Sequence, residues 1–327
     1  MRIGLTFDLQ TDPADERQAE FDPPQTIAAV SDALRALGHH VVSLGSAHDL
    51  VTAPGRLSEV ELVFNLAEGT HGRCREAWVP ALLELHDVPY VGSDPLALAL
   101  GLDKAVCKRL AQATGIATPR WICIEHPSTL PAEVPLKFPL MVKPRWEGSG
   151  RGIDAGAVVY TRQALAARVR WLFEHCSEPI VIEEFIDGGE LTVCLIGNDS
   201  PQAYPAIQRP LDSATRLSCH VIRPVPSVVE TPLLLDESLD AQAREIARTM
   251  FDLLGCRDMA RVDLRVDRQG RPWFLEINPL PSFDPQGSVG LLAEYLGTTY
   301  AALIGRILDA TLERLTNEPQ WVGPADR

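Results

Sequence analysis

Three oxygen-bearing side chains near the C-terminal end, Asp263, Glu276 and Asn278, have the type and spacing to hold a divalent cation. Asp263 sits in an alternating run, 262–266. Glu276 and Asn278 fall in and just after a second run, 273–277, and Arg268, Gln269, Gly270 and Arg271 supply the turn between the two. Residues two apart on a strand face the same side, so Glu276 and Asn278 share a face, and a hairpin brings Asp263 alongside. Two carboxylates and an amide are hard oxygen donors. They suit Mg²⁺, which is commonly bound by a few protein ligands together with substrate phosphates. The competing reading is a surface hairpin with solvated acids.

A second group of residues has the chemistry to meet a nucleotide. Lys143 ends an apolar strand, 138–143, where its stem can be buried and its ammonium presented to a cleft. Glu147, Gly148, Ser149, Gly150, Arg151 and Gly152 follow. Backbone N–H groups of such a loop can approach phosphate oxygens closely, and the loop can act as a lid. An ordinary hairpin turn would use the same glycines. In 180–190 an apolar strand runs into acids and an aromatic. Glu183 with nearby backbone groups could meet a base, Phe185 and Ile186 could form an apolar slot, and Glu190 could reach ribose hydroxyls; burial of Phe185 and Ile186 in a core is the alternative.

The elements that must position these groups alternate early in the chain. Strands are expected at 2–7, 41–44, 60–66 and 88–91, with helices at 26–37 and 76–85, the pattern of a parallel α/β unit. A helix at 104–114 stops at Gly115. Strands at 121–124, 138–143 and 156–160 then read as an antiparallel sheet, followed by a helix at 162–175. Strands at 180–185 and 190–196 join at Asp187, Gly188 and Gly189. Residues 206–226 lack a period and read as a long loop near a site. A helix at 239–254, the hairpin, and helices at 290–296 and 300–315 complete the chain, with 317–327 as a frayed tail.

Bulk properties limit the partners. At 327 residues two or three domains are expected, and 46% hydrophobic with 23% charged residues suits a globular protein. A formal net charge of −14 argues against nucleic acid or an anionic membrane surface. The seven cysteines are scattered and unpaired in pattern, as in reduced thiols, and Cys219 beside His220 has no partner motif. With no spanning apolar run and no signal peptide at Met1, the expectation is a cytoplasmic protein.

Taken in order, Lys104, Lys143, the glycine loop, Glu183 with Glu190, and Asp263, Glu276 and Asn278 resemble the ATP-grasp superfamily. More closely the chain resembles D-alanine–D-alanine ligases. The likeness runs from residues 63–69 through Pro89, Tyr90, Val91, Gly92 and Ser93 to the terminal helices. Its specific parts are those five residues, Arg261 to Asp263, and Leu275 to Asn278. It implies an α/β (α+β) ATP-grasp fold: an N-terminal parallel α/β substrate domain (1–101), a central subdomain with the glycine loop (102–184) and a C-terminal catalytic subdomain (185–316). Lys104, Lys143, Gly148, Ser149 and Gly150 would contact ATP, and Asp263, Glu276 and Asn278 would hold Mg²⁺, two ions in all, with Mn²⁺ a substitute. Arg261 would stabilise an oxyanion, with Ser149 and Glu68 beside it. The implied chemistry phosphorylates a carboxylate and then captures the acylphosphate with an amine, so the partners would be amino acids. A homodimer is also implied.

Departures from the family pattern bear on the substrate. The glutamate expected after the first strand has no clear counterpart, and Asp8 is the candidate substitute. Glu68 and Gly69 stand where His-Gly is usual. In 209–216, Arg209 or Arg216 stands in for a missing loop lysine. Residues 279–288 differ in the acceptor region, leaving Ser288, with Ser282, to bind the acceptor carboxylate. D-alanine with D-alanine is the nearest expectation; a dipeptide ligase with other substrates and a silent ATP-binding sensor are the alternatives.

Overall fold

The early alternation of apolar strands and amphipathic helices closes into a parallel sheet. The computed structural model describes residues 1–176, 178–219 and 228–317. Its first elements are β1 (Arg2–Thr6), α1 (Pro24–Ala36), β2 (His40–Gly45), α2 (Ala47–Thr52), β3 (Leu62–Asn65), α3 (Trp78–Leu85) and β4 (Tyr90–Val91). The order is β2-β1-β3-β4, and every pairing is parallel. Ile3, Leu5, Leu62 and Phe64 are buried in one core with Val30 and Leu34 of α1.

Two helices lead out of this sheet, α4 (Pro95–Leu102) and α5 (Lys104–Ala113). The carboxylates of Asp94 and Asp103 cap their first turns. The second sheet comprises β5 (Trp121–Ile124), β6 (Leu140–Pro144), β7 (Val158–Val159) and, after α6 (Arg162–Cys176), β8 (Ile180–Glu184). Its order is β5-β8-β6-β7, antiparallel throughout. The third sheet is built on β9 (Gly188–Ile196). β10 (Gln202–Ala203) and β11 (Ile207–Arg209) pair with one edge of it. The short β12 (Leu211–Asp212) pairs with β13 (Val229–Glu230). After α7 (Glu237–Leu254), β14 (Met259–Asp267) pairs with the other edge of β9 and with β15 (Pro272–Asn278). The helices α8 (Ser288–Tyr295) and α9 (Tyr300–Asn317) follow, and α9 packs back on α1 and the parallel sheet.

Fully buried Asp258 ties distant parts of the chain together. Its carboxylate accepts hydrogen bonds from the Gly92 N–H (2.9 Å), the Thr311 hydroxyl (2.8 Å) and the Arg314 guanidinium (2.9 Å). One buried group thereby links the end of the parallel sheet, the start of β14 and α9. No helix among the described residues is long and apolar enough to cross a membrane.

Several elements depart from expectation for physical reasons. The helix α2 has six residues and depends on a capping box between Ser46 and Asp49, too short to show a period. The helix α4 is apolar on nearly every side, so it carries no amphipathic signal. Residues 206–226 are not one structureless loop, since β11 and β12 lie within them; residues 220–226, His220 among them, and the tail beyond 317 lie outside the described residues. The two strands joined at Asp187 are not partners, because the chain passes there from the second sheet to the third. Gly188 makes that passage possible: a Cβ on it would lie 1.9 Å from the Val266 carbonyl oxygen. We expect Gly188→Ala to lower stability by about 1–3 kcal/mol, the usual scale of overpacking, read as a drop in the urea midpoint.

Candidate active site

The third sheet puts charged groups at alternate positions of its central strand. Arg261, Asp263 and Arg265 share one face of β14. Across the ladder to β15, Asp263 stands opposite Glu276 and Arg261 opposite Asn278. On the other side, Thr192 and Glu190 of β9 stand opposite Asp263 and Arg265. A β-bulge next to Asp263 shifts the register there, a device often found beside active sites.

These residues bond to one another. The Arg261 guanidinium donates to both Asp263 oxygens (2.9–3.2 Å), the Thr192 hydroxyl donates to Oδ1 (2.7 Å), and the Asn278 amide to Oδ2 (3.3 Å). Lys104 lies 3.3 Å from Glu276 and donates to the Glu147 carbonyl (2.6 Å). Burial would push Asp263 upward, but Arg261 overrides it and holds the carboxyl below its usual range. Lys104 and Lys143 do the same for Glu276 against the same burial. Both acids are therefore ionised. Two carboxylates and an amide that also carries an oxygen make a hard donor set, and it fits Mg²⁺ bound jointly with phosphate. Among the described residues no cluster of three or more His, Cys, Asp or Glu forms a metal site, so the amide is needed.

A narrow cavity of about 80 Å³ lies between the second and third sheets, lined by Lys143, Glu183, Phe185, Ile186, Glu190, Arg265 and Leu275. Phe185 and Ile186 line this slot, and Phe185 also packs against the small apolar cluster of Ala157, Val158 and Leu217. Arg265 stacks over the Phe185 ring at 4.7 Å and pairs with Glu190 at 3.3 Å. Glu183 lines the slot and also serves as a counterion. Its carboxylate is clamped between Lys143 (2.7 Å) and fully buried Lys108 (2.5 Å), because two buried ammoniums need a counterion.

A wider cavity of about 470 Å³ opens beside it, lined by Glu68, Lys104, Gly148, Ser149, Gly150, Arg209, Arg261, Glu276, Asn278, Ser282 and Ser288. The glycine loop covers it, with Ser149 itself left-handed (φ 46°), followed by Gly150 (φ 76°). Glu20 accepts from the Gly148 N–H (2.6 Å) and pairs with Arg75 (2.5 Å), which also donates to the Trp146 carbonyl (3.0 Å). Segment 10–22 thus latches the lid.

Two expected residues lie elsewhere. Asp8 does not line the wider cavity; β1 ends at Thr6, and the Asp8 carboxylate accepts the Gly69 N–H (2.8 Å), bracing the turn that carries Glu68. Arg216 is turned away toward Asp187 (3.2 Å), the Gly188 carbonyl (2.9 Å) and Glu230. Arg209 lies in the cleft instead, donating to Thr192 (3.2 Å) and Ser288 (2.8 Å). Sequence reasoning missed Glu20, Asp22, Arg75, Glu76, Lys108, Thr192 and Arg265. Thr192 and Arg265 carried a signal, as polar residues sharing faces with Glu190 and with Asp263 in otherwise apolar strands.

Glu178 supports the base of the lid by accepting the Trp146 N–H (2.8 Å), and burial, with Glu147 nearby, pushes it up to about 7. A carboxyl raised on folding gives stability that is present below its unfolded value, near 4.5, and lost as pH rises through 7. Glu178→Gln should therefore stabilise the fold more at pH 8 than at pH 5, by a difference on the order of 2 kcal/mol read from urea unfolding at the two pH values.

Comparison with known proteins agrees with this geometry. The family described as D-ala D-ala ligase C-terminus matches residues 110–309. The uncharacterized protein y4sG of Sinorhizobium fredii is 33% identical over 297 residues, covering 88% of this chain and 87% of that protein. The D-alanine–D-alanine ligase of Aquifex aeolicus is 32% identical over 288 residues, covering 87% and 94%. The crystal structure of the Bacillus anthracis D-alanine–D-alanine ligase complexed with ATP superposes with a TM-score of 0.76 at 23% identity, over 98% of this chain and 100% of that one. The VanG D-Ala:D-Ser ligase of Enterococcus faecalis gives 0.74 at 21% identity, over 95% and 99%. With the fold, the matched region and the identity in agreement, the chain belongs to the D-alanine–D-alanine ligase family and is an ATP-dependent ligase of the ATP-grasp fold.

Proposed function

We propose that the chain joins two amino acids through an acylphosphate, at the expense of ATP. What supports the reading most is that Glu276, with Asn278 and Arg261, borders the cavity that the glycine loop covers, while Asp263 and Glu276 line the adjoining slot, both carboxyls held below their usual range. Asp263, Glu276 and Asn278 would hold Mg²⁺, which when bound neutralises phosphate charge. The remaining work falls to the chain's own side chains. Lys143 and Glu190 border the narrow slot, whose apolar lining suits a purine, and Lys104 reaches the boundary between slot and lid. Arg261, fixed by two bonds to Asp263, offers a preorganised guanidinium to an oxyanion developing on the substrate carbonyl. Ser288 and Arg209 offer a hydroxyl and a guanidinium to a carboxylate at the other end. The lid excludes water that would otherwise hydrolyse the activated acid.

The test is ADP and phosphate release from ATP and Mg²⁺ with single amino acids and pairs. D-alanine is tried first, because the Aquifex aeolicus relative is a D-alanine–D-alanine ligase. Asn278→Ala is expected to lower amino-acid-dependent ADP formation by about 10–100-fold, as for loss of a metal-supporting group. Undiminished turnover in that variant would refute the reading. A different substrate pair is favoured by one observation, the acidic wall of the wider cavity.

A further inference from the structure

Charge divides the wider cavity. Arg209, Arg261 and Asn278 line it from the third sheet and Asp22, Glu68 and Glu76 from the N-terminal unit; Glu20, Asp284 and the paired Lys104 and Glu276 line it as well. Glu20 is bonded to Arg75 and Gly148, and Asp284 accepts the Gln286 N–H. Among the described residues, no side chain hydrogen-bonds or ion-pairs with the carboxylates of Asp22, Glu68 or Glu76. Yet Asp22 is only 8% exposed and Glu76 only 7%. The neighbouring cations are committed elsewhere, Arg75 to Glu20 and Glu147, and Lys104 to Glu276.

Asp22 and Glu76 are largely buried and Glu68 half-buried, and all three line the cavity without a bonded partner, so a cation arriving there completes them. Burial pushes Asp22 up to about 7 and Glu76 up to about 8, and it raises Glu68 as well. An incoming cation relieves that desolvation. A neutral amino acid brings a single ammonium to three such carboxylates. Its own carboxylate belongs at the opposite side, near Arg261.

Resting on the ligase reading, we propose that the amino acid activated here is a diamino acid, whose two ammonium groups pair with Asp22, Glu68 and Glu76. The second ammonium sets specificity by charge. A hydrocarbon side chain of the same length brings only the α-ammonium, one cation fewer, and is disfavoured.

The experiment uses the full chain with ATP and Mg²⁺, and compares both enantiomers of ornithine and lysine with norvaline and alanine. Ornithine or lysine should show a KM at least tenfold below norvaline, which matches the ornithine stem without its charge. Glu76→Gln and Asp22→Asn should each narrow that preference at least tenfold. If neutral amino acids are used as well as or better than diamino acids, the inference falls while the ligase reading stands. If no amino acid yields ADP, the ligase reading falls. The inference is then decided by melting temperature without ATP: a rise with ornithine at concentrations where norvaline gives none supports it, and equal shifts overturn it.

Discussion

Asp263→Asn should lower amino-acid-dependent ADP formation by about 10²–10³-fold with the fold intact, the scale of removing one preorganised electrostatic group from a water-excluded site. The variant keeps the volume of the side chain and an oxygen to accept the Thr192 hydroxyl. It removes the charge that two guanidinium contacts from Arg261 depend on, and with it one of two ionised carboxylates on this face. Both the metal donor set and the orientation of Arg261 are affected, so the loss should fall on kcat more than on KM. Arg261→Lys, which keeps the charge but not the fork, should be severely impaired as well. A wild-type rate in Asp263→Asn, with circular dichroism unchanged, would remove Asp263 from the reaction.

The largest expected loss of stability comes from Glu183→Ala. Glu183 is the counterion of Lys143 and of Lys108, whose side chain is 0% exposed. Removing one partner of a buried pair leaves an uncompensated charge and costs about 3–5 kcal/mol. Lys108 keeps only the Thr118 hydroxyl, at 2.9 Å. Its ammonium is already pushed below its ordinary value by burial against the pull of Glu183. Urea unfolding at pH 7 should show the loss, and Lys108→Met in the same chain should restore most of it. If Glu183→Ala unfolds at the wild-type midpoint, the triad contributes nothing to stability.

Much of this was legible in the chain because it rests on short periods. The hairpin at 262–277 alternates and has a four-residue turn, so the approach of Asp263 to Glu276 and Asn278 was legible from strand geometry, though the bulge that sets its register was not. The parallel unit was likewise carried by apolar strands and amphipathic helices. What escaped has no local period. Lys108 and Arg75 look like ordinary surface cations in sequence, and only the fold buries them against Glu183 and Glu20. The lid latch joins residues more than a hundred positions apart, and no spacing rule reaches that far. Where Asp8 and Arg216 point was not legible for a related reason: Asp8 is turned to the Gly69 N–H and Arg216 to the Gly188 carbonyl, contacts that no local spacing announces.

The knot around Asp258 has a consequence for how ligands enter. A buried carboxylate in the turn before β14, with one donor from the end of β4 and two from α9, resists separation of those parts. The parallel sheet and the third sheet therefore act as a fixed anvil. The second sheet, carrying Gly148 to Gly150 and held to the anvil at its tip by Glu20, is the hammer. A ligand entering beneath the loop meets the Glu20 tie at its tip, and the Asp103–Arg145 pair ties its root to the start of α5.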